Sequence, residues 1–144
     1  MTLAITVAND ASDIALCMKL RWAVFVEEQG VDPAEEADGE DDHCTHVLAR
    51  VAGEPVGAAR YQYKADFAKI QRVCVLSQMR GTGAGAALMR FILHRLQEEG
   101  RASRARLGAQ TQAIDFYRAL GFTPVGAPYL DAGIPHMDMV RDLV

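Results

Sequence analysis

Cysteine is scarce: Cys17, Cys44 and Cys74 are the only three in 144 residues. An odd number without Cys-x-x-Cys spacing builds neither a disulfide framework nor a zinc site, and such usage suits a reducing cytoplasm. No apolar run reaches the roughly 20 residues that span a bilayer, and the opening Met1-Thr2-Leu3-Ala4-Ile5 has no basic region or extended hydrophobic segment. Neither a membrane partner nor export is expected. Basic charge is also short. With 15 Lys and Arg against 19 Asp and Glu, the net charge is −4 and the pI about 5.5, which excludes a broad electrostatic grip on nucleic acid. Glycine (12) and proline (5) stand at ordinary levels, which excludes collagen-like, low-complexity and disordered classes. Apolar residues make up 50% of the chain. A sequence of this size and composition is expected to form one domain, residues 1–144, with a real core.

Periodicity divides the chain into alternating elements. Residues 3–8 alternate as a strand. Residues 9–13 offer N-cap side chains, and Ile14, Cys17, Met18, Val24 and Phe25 then recur at helical spacing. This predicts a helix over residues 12–29, stopped by Gly30, with Trp22 and Phe25 on its core face. Glu35, Glu36, Asp38, Glu40, Asp41 and Asp42 come next, predicting a water-exposed loop or short helix whose charge would attract a cationic amine. His43 and His46, with Asp41, Asp42 and Cys44, lack a recognised ligand spacing, so no metal is expected. Strands over 46–51 and 56–63 flank the turn Ala52-Gly53-Glu54-Pro55 as a hairpin, and 68–75 forms a third strand. A helix over 84–99, a strand over 104–109, a helix over 111–120 and strands over 122–125 and 136–140 complete the chain. The order β-α-β-β-β-α-β-α-β-β predicts an α/β (α+β) fold with a mixed sheet and helices packed on its faces.

Arg80-Gly81-Thr82-Gly83-Ala84-Gly85 lies between the third strand and the next helix. A helix start leaves backbone N–H groups without intrahelical partners and carries partial positive charge, so it forms a phosphate cradle. Glycine lets the backbone approach closely, and Arg80 adds a planar fork suited to phosphate oxygens. The same residues match a loose dinucleotide fingerprint. That reading requires the loop after the first strand and an acidic residue about 20 positions on, where Arg101 and Ala102 stand instead.

Three strands leading into Arg-x-x-Gly-x-Gly, then a helix, a strand and Ala113-Ile114-Asp115-Phe116-Tyr117-Arg118-Ala119-Leu120-Gly121-Phe122, resemble the GNAT superfamily of acyl-CoA-dependent N-acyltransferases. The resemblance covers nearly the whole chain. Leu20-Arg21-Trp22-Ala23-Val24-Phe25-Val26-Glu27-Glu28-Gln29, the acidic segment ending near His46, and Gly133-Ile134-Pro135-His136 are similar to its ElaA-like branch. The family's mostly antiparallel sheet flanked by helices is implied. So is transfer of an acetyl group from acetyl-CoA to a primary amine of a small molecule or peptide.

The resemblance also implies roles for particular residues. Arg80, Gly81, Thr82, Gly83, Ala84 and Gly85 would hold the coenzyme A pyrophosphate. Backbone groups of Val73 and Val75 would pair with the pantetheine arm as with an added strand. Gln110 would lie on the arm's far side, where many relatives carry asparagine. Tyr117, a phenol protonated near neutral pH, is the candidate acid for the departing thiolate, and the Val75 N–H the candidate oxyanion donor. The strand over 68–75 holds no carboxylate, so the base must come from elsewhere. Glu28, His46 and His136 are the candidates around the acceptor. A non-catalytic acyl-CoA sensor or partner-binding module, which would keep the cradle without productive proton transfer, is the alternative.

Overall fold

Asp10 caps the first helix, its carboxylate accepting from the Asp13 amide at 2.8 Å. In this computed structural model, which describes residues 2–144, β1 (Leu3–Ala8) leads into that helix, α1 (Ala11–Arg21), with Cys17 and Leu20 on its buried side. The chain stays helical beyond Arg21 but widens to π-helical bonding over Trp22–Glu28, with the Gln29 amide reaching the Val24 carbonyl at 3.1 Å. The buried side chains Cys17, Leu20, Arg21 and Val24 form one stripe at spacings of three and four, and Trp22 lies off it. Val24 stays buried, whereas Trp22, expected in the core, is 48% exposed.

A short helix α2 (Pro33–Glu36) precedes β2 (Thr45–Val51), β3 (Glu54–Lys64) and β4 (Phe67–Val75). Then come α3 (Ala84–Glu99), β5 (Arg104–Gln110), α4 (Ile114–Ala119), β6 (Thr123–Asp131) and β7 (Ile134–Asp142). The predicted helix over 111–120 begins as a 3-10 turn, and the last two strands are longer than expected because they pair as one hairpin. The seven strands run in the order β1-β2-β3-β4-β5-β7-β6, antiparallel except for β4 and β5.

Helix α3 buries Leu88, Met89, Ile92, Leu93 and Leu96, a run at spacings of three and four, against Ala68, Ile70, Ala105, Leu107 and Met139 of the sheet. Complete burial of such side chains stabilises by about 1.5–3 kcal/mol each. Helix α1 covers the other face with Cys17 and Leu20 against Leu48, Ala58 and Cys74.

A single irregularity in β4 decides which face each of its later residues presents. Gln71 pairs with Arg60 and Cys74 with Ala58, so Arg72 and Val73 together oppose the single residue Ala59. Arg72 takes φ +57° at this bulge. The extra residue inverts the alternation. Before it, Ala68 and Ile70 face α3; after it, Val73 does, while Cys74 turns toward α1.

The acidic segment is the short helix and loop expected, with Glu35, Asp38 and Asp42 exposed, but three arginines tie its Glu36, Asp38 and Asp41 to the body of the fold and bury Glu36. Arg21, 1% exposed, donates from Nη2 to Glu36 Oε2 at 2.7 Å and from Nη1 to Asp41 Oδ1 at 2.6 Å. Arg60, wholly buried, donates to Asp38 Oδ2 at 2.5 Å and to Asp41 Oδ1 at 2.6 Å. Arg72 completes the group, with Nε 2.9 Å from Glu36 Oε2. Burial disfavours ionised Asp38 and Asp41. Hydrogen bonds from Arg60 to Asp38, and from Arg21 and Arg60 to Asp41, outweigh it and hold both carboxyls below the usual range.

Candidate active site

Strands β4 and β5 pair only where Phe67, Ala68 and Lys69 meet Arg104, Ala105 and Arg106. Beyond that point they separate, leaving the second half of β4 without a neighbour on that side. The Leu76 amide donates to the Val56 carbonyl at 2.9 Å, so the preceding residue, Val75, directs its own N–H and C=O away from β3 and into the gap. Its carbonyl accepts from Arg80 Nη2 at 3.1 Å.

The gap opens at one end onto the start of α3. Gly81 and Gly83 adopt φ values of +78° and +88°, and no atom lies within 4 Å of where a Cβ would sit on either. The first intrahelical bond runs from the Ala87 amide to the Gly83 carbonyl at 3.0 Å, so the N–H groups of Ala84 and Gly85 have no partner in the helix. Thr82 turns its hydroxyl back onto the Met79 carbonyl at 2.5 Å and braces the loop. This open, donor-rich concavity fits a diphosphate. Arg80 does not stand free beside it: its guanidinium grips Glu28 in a two-pronged pair, with contacts of 2.5 and 2.8 Å. That bond holds the Glu28 carboxyl below its ordinary value.

The gap widens into a cavity of about 510 Å3 whose lining includes Phe25, Val73, Gln110, Tyr117 and His136. Gln110, at the end of β5, donates to Gln29 Oε1 at 2.9 Å. Tyr117 is 9% exposed, and burial alone pushes its phenol up to about 12; no hydrogen bond engages its hydroxyl among the described residues. His136 places Nδ1 2.7 Å from the Ile134 carbonyl, which can only accept, so Nδ1 carries the proton and neutral His136 presents Nε2 as an acceptor. Its ring stacks on Tyr129 at 5.9 Å.

Two candidates lie elsewhere. His46 is 4% exposed on β2 with Nε2 2.9 Å from the Asp41 carbonyl, and it does not line this cavity. Glu28 is likewise absent from the lining and is committed to Arg80. The structure instead brings in Lys69, Arg72, Arg106, Tyr129 and Asp138, none of which stands out in the sequence. Alternation around Lys69-Ile70-Gln71 and Arg104-Ala105-Arg106 marks polar faces of these strands, but which face meets a cavity depends on pairing across the sheet. Among the described residues, no group of three or more His, Cys, Asp or Glu is placed to hold a metal ion, and no helix is long and apolar enough to cross a membrane.

The family model of the acetyltransferase (GNAT) domain matches residues 7–143. The uncharacterized N-acetyltransferase YjcF of Bacillus subtilis (strain 168) is 36% identical over 137 residues, which cover 94% of this chain and 97% of YjcF. The crystal structure of Escherichia coli ElaA superposes with a TM-score of 0.87 at 30% identity, covering 97% of this chain and 99% of ElaA. An acyl-CoA N-acyltransferase from Pseudomonas aeruginosa superposes with a TM-score of 0.86 at 28% identity, over 97% of this chain and 99% of that one.

Proposed function

The chain belongs to the GNAT family and is an acetyltransferase, and we propose that it uses acetyl-CoA to acetylate a primary amine of a small molecule or peptide. The observation that carries this reading is the continuity of three features. A glycine cradle at the start of α3 leads along the backbone of Val75, which no neighbouring strand pairs on that side, into a cavity lined by a tyrosine whose hydroxyl makes no hydrogen bond among the described residues. Residues 1–144 would act as one domain, and its three free cysteines suit a cytoplasmic setting.

Acetyl transfer forms a carbon–nitrogen bond, breaks the carbon–sulfur bond of the thioester, and moves one proton from nitrogen toward sulfur. The Val75 N–H is directed into the gap and would polarise the thioester carbonyl. The Val73 backbone would help align the pantetheine arm, with Gln110 on its other side. Tyr117 would donate a hydrogen bond to the sulfur as it gains negative charge. Its burial-raised pKa keeps that proton in place well above neutral pH. His136 Nε2 would accept from the attacking amine. Ala84 and Gly85 amides would bind the diphosphate together with Arg80, Gly81, Thr82 and Gly83.

Calorimetry with acetyl-CoA, paired with thiol release across a panel of primary amines, tests the reading. Association with turnover is expected; a folded chain that binds neither CoA nor acetyl-CoA would overturn it. Gly83→Ala should strain the left-handed turn by about 1–2 kcal/mol and weaken CoA binding about tenfold, read from the calorimetric Kd.

The Arg80–Glu28 pair adds a prediction of opposite signs. CoA phosphates must compete with Glu28 for the same guanidinium. Arg80→Ala should therefore weaken CoA binding about tenfold, whereas Glu28→Gln should tighten it by a few-fold, since exposed pairs are worth about 0.2–1 kcal/mol. Equal weakening in both variants would contradict the competition.

A further inference from the structure

Lys69 and Arg106 are register partners on the two parallel strands, the last pair before β4 and β5 separate. Their neighbours Ala68, Ile70, Ala105 and Leu107 are buried against α3, so alternation puts both cations on the opposite, cavity-lining face. Like charges side by side on adjacent strands are unfavourable unless something neutralises them. Arg106 has a partner: its Nη2 lies 2.9 Å from Asp138 Oδ2. Lys69 has none, making no ion pair or side-chain hydrogen bond among the described residues. Asp138 lies close enough for Lys69 to favour its ionised form, but both of its oxygens are taken, one by Arg106 and the other by the Tyr129 hydroxyl at 2.6 Å, so one carboxylate faces two cations without a hydrogen bond to the lysine.

The backbone around this pair is shaped to keep it open. A Cβ on Gly108 would stand 2.5 Å from the Tyr129 hydroxyl, so only glycine lets that phenol lie across β5 and reach Asp138. The result is a low floor between Arg106 and Gln110. Of the remaining cavity carboxylates, Glu36 is held by Arg21 and Arg72. Glu35 and Asp131 are exposed and form no ion pair among the described residues.

We propose that Lys69 and Arg106 form an anion subsite at the blind end of the gap, and that the acceptor is a primary amine that also carries a carboxylate. The inference rests on the acetyltransferase reading and specifies its substrate class. With the cradle at one end of the gap, these cations stand at the other, where the acceptor approaches. A carboxylate there relieves the unpartnered lysine, while Glu35 and Asp131 favour arrival of the ammonium group. A neutral-bodied amine supplies no such relief.

Matched acceptors separate these cases: glycine, β-alanine and 4-aminobutyrate against their amides, with acetyl-CoA and thiol release as the readout. The wild-type chain is expected to favour at least one acid over its amide by about tenfold in kcat/KM, and Lys69→Gln to remove that preference while Lys69→Arg restores most of it. A second readout needs no turnover. In nuclear magnetic resonance titrations, N-acetylglycine should shift amide signals of β4 and β5 in the wild type but not in Lys69→Gln, and N-acetylglycinamide should shift them in neither. Acids and amides used equally, or N-acetylglycine bound equally by both proteins, would overturn the subsite and leave the transferase reading standing. Failure to bind acetyl-CoA would count against that reading instead, and the titration would still decide whether the anion subsite exists.

Discussion

Tyr117→Phe is expected to lower kcat by about 100-fold or more, the lower end of what a positioned proton donor contributes, while the Kd for CoA stays within about twofold. The phenol is almost wholly buried, its ring packs edge-on against Phe116 and Phe122, and its hydroxyl has no protein partner among the described residues. Removing one oxygen therefore leaves the packing in place and exposes no stranded group. A structural role predicts a change in stability; a catalytic role predicts a change in turnover alone. Because burial raises the phenol to about 12, the wild type should show no loss of rate between about pH 7 and 9 from ionisation of this group. Steady-state rates, calorimetric affinity and thermal midpoints on one preparation separate the two roles. Unchanged kcat in the phenylalanine variant would remove Tyr117 from the chemistry.

Arg21→Gln should produce the largest stability effect, about 3–5 kcal/mol, because removing one partner from a buried ionic group leaves its carboxylates unbalanced. The guanidinium bridges Glu36 and Asp41 from a nearly inaccessible position, and neither Arg60 nor Arg72 replaces both of its contacts. The thermal midpoint should fall by about 10 °C for a chain of this size. Acid adds a second readout. The folded-state pKa values of Asp38 and Asp41 lie below their unfolded values, so these groups contribute stability above about pH 4 that is lost as pH falls through the folded values. Urea unfolding from about pH 7 down to about pH 3 should show a declining midpoint in the wild type and a shallower decline in Arg21→Gln. An identical pH dependence would mean that Arg21 is not what keeps Asp41 ionised.

Local signals were sufficient for much of this architecture. Alternation in Leu3–Ala8, the three- and four-residue spacing of Leu88, Ile92 and Leu96, and the glycines before α3 each depend on neighbours close in the chain. The GNAT resemblance rested on such segments in order, and the comparisons agree with it. Longer-range effects were not readable in the same way. Six acidic residues in a short span read as a solvated surface, which holds for Glu35 and Asp42, but nothing local indicates that Arg21, Arg60 and Arg72, from three different elements, close around Glu36, Asp38 and Asp41. Trp22 reads as a core residue by its apolar type, yet the stripe the helix buries runs through Cys17, Leu20, Arg21 and Val24, and the charged Arg21 takes the inward place beside it. His46 and His136 looked equivalent as base candidates, yet pairing across the sheet sends one into the interior of β2 and the other to the cavity wall. Lys69 and Arg106 became a pair only through the register of two strands separated by a helix.

The bulge at Arg72, more than the identity of the residues after it, decides which way the end of β4 turns its backbone. Were Arg72 to pair in regular alternation instead of bulging, the downstream segment would turn over like a page. Cys74 would exchange sides with its neighbours, and the amide of Val75 would be returned to the β3 ladder. Substitution could drift across this stretch through many generations, whereas a change that flattened the bulge without shortening the strand would close the seam along which a thioester would lie.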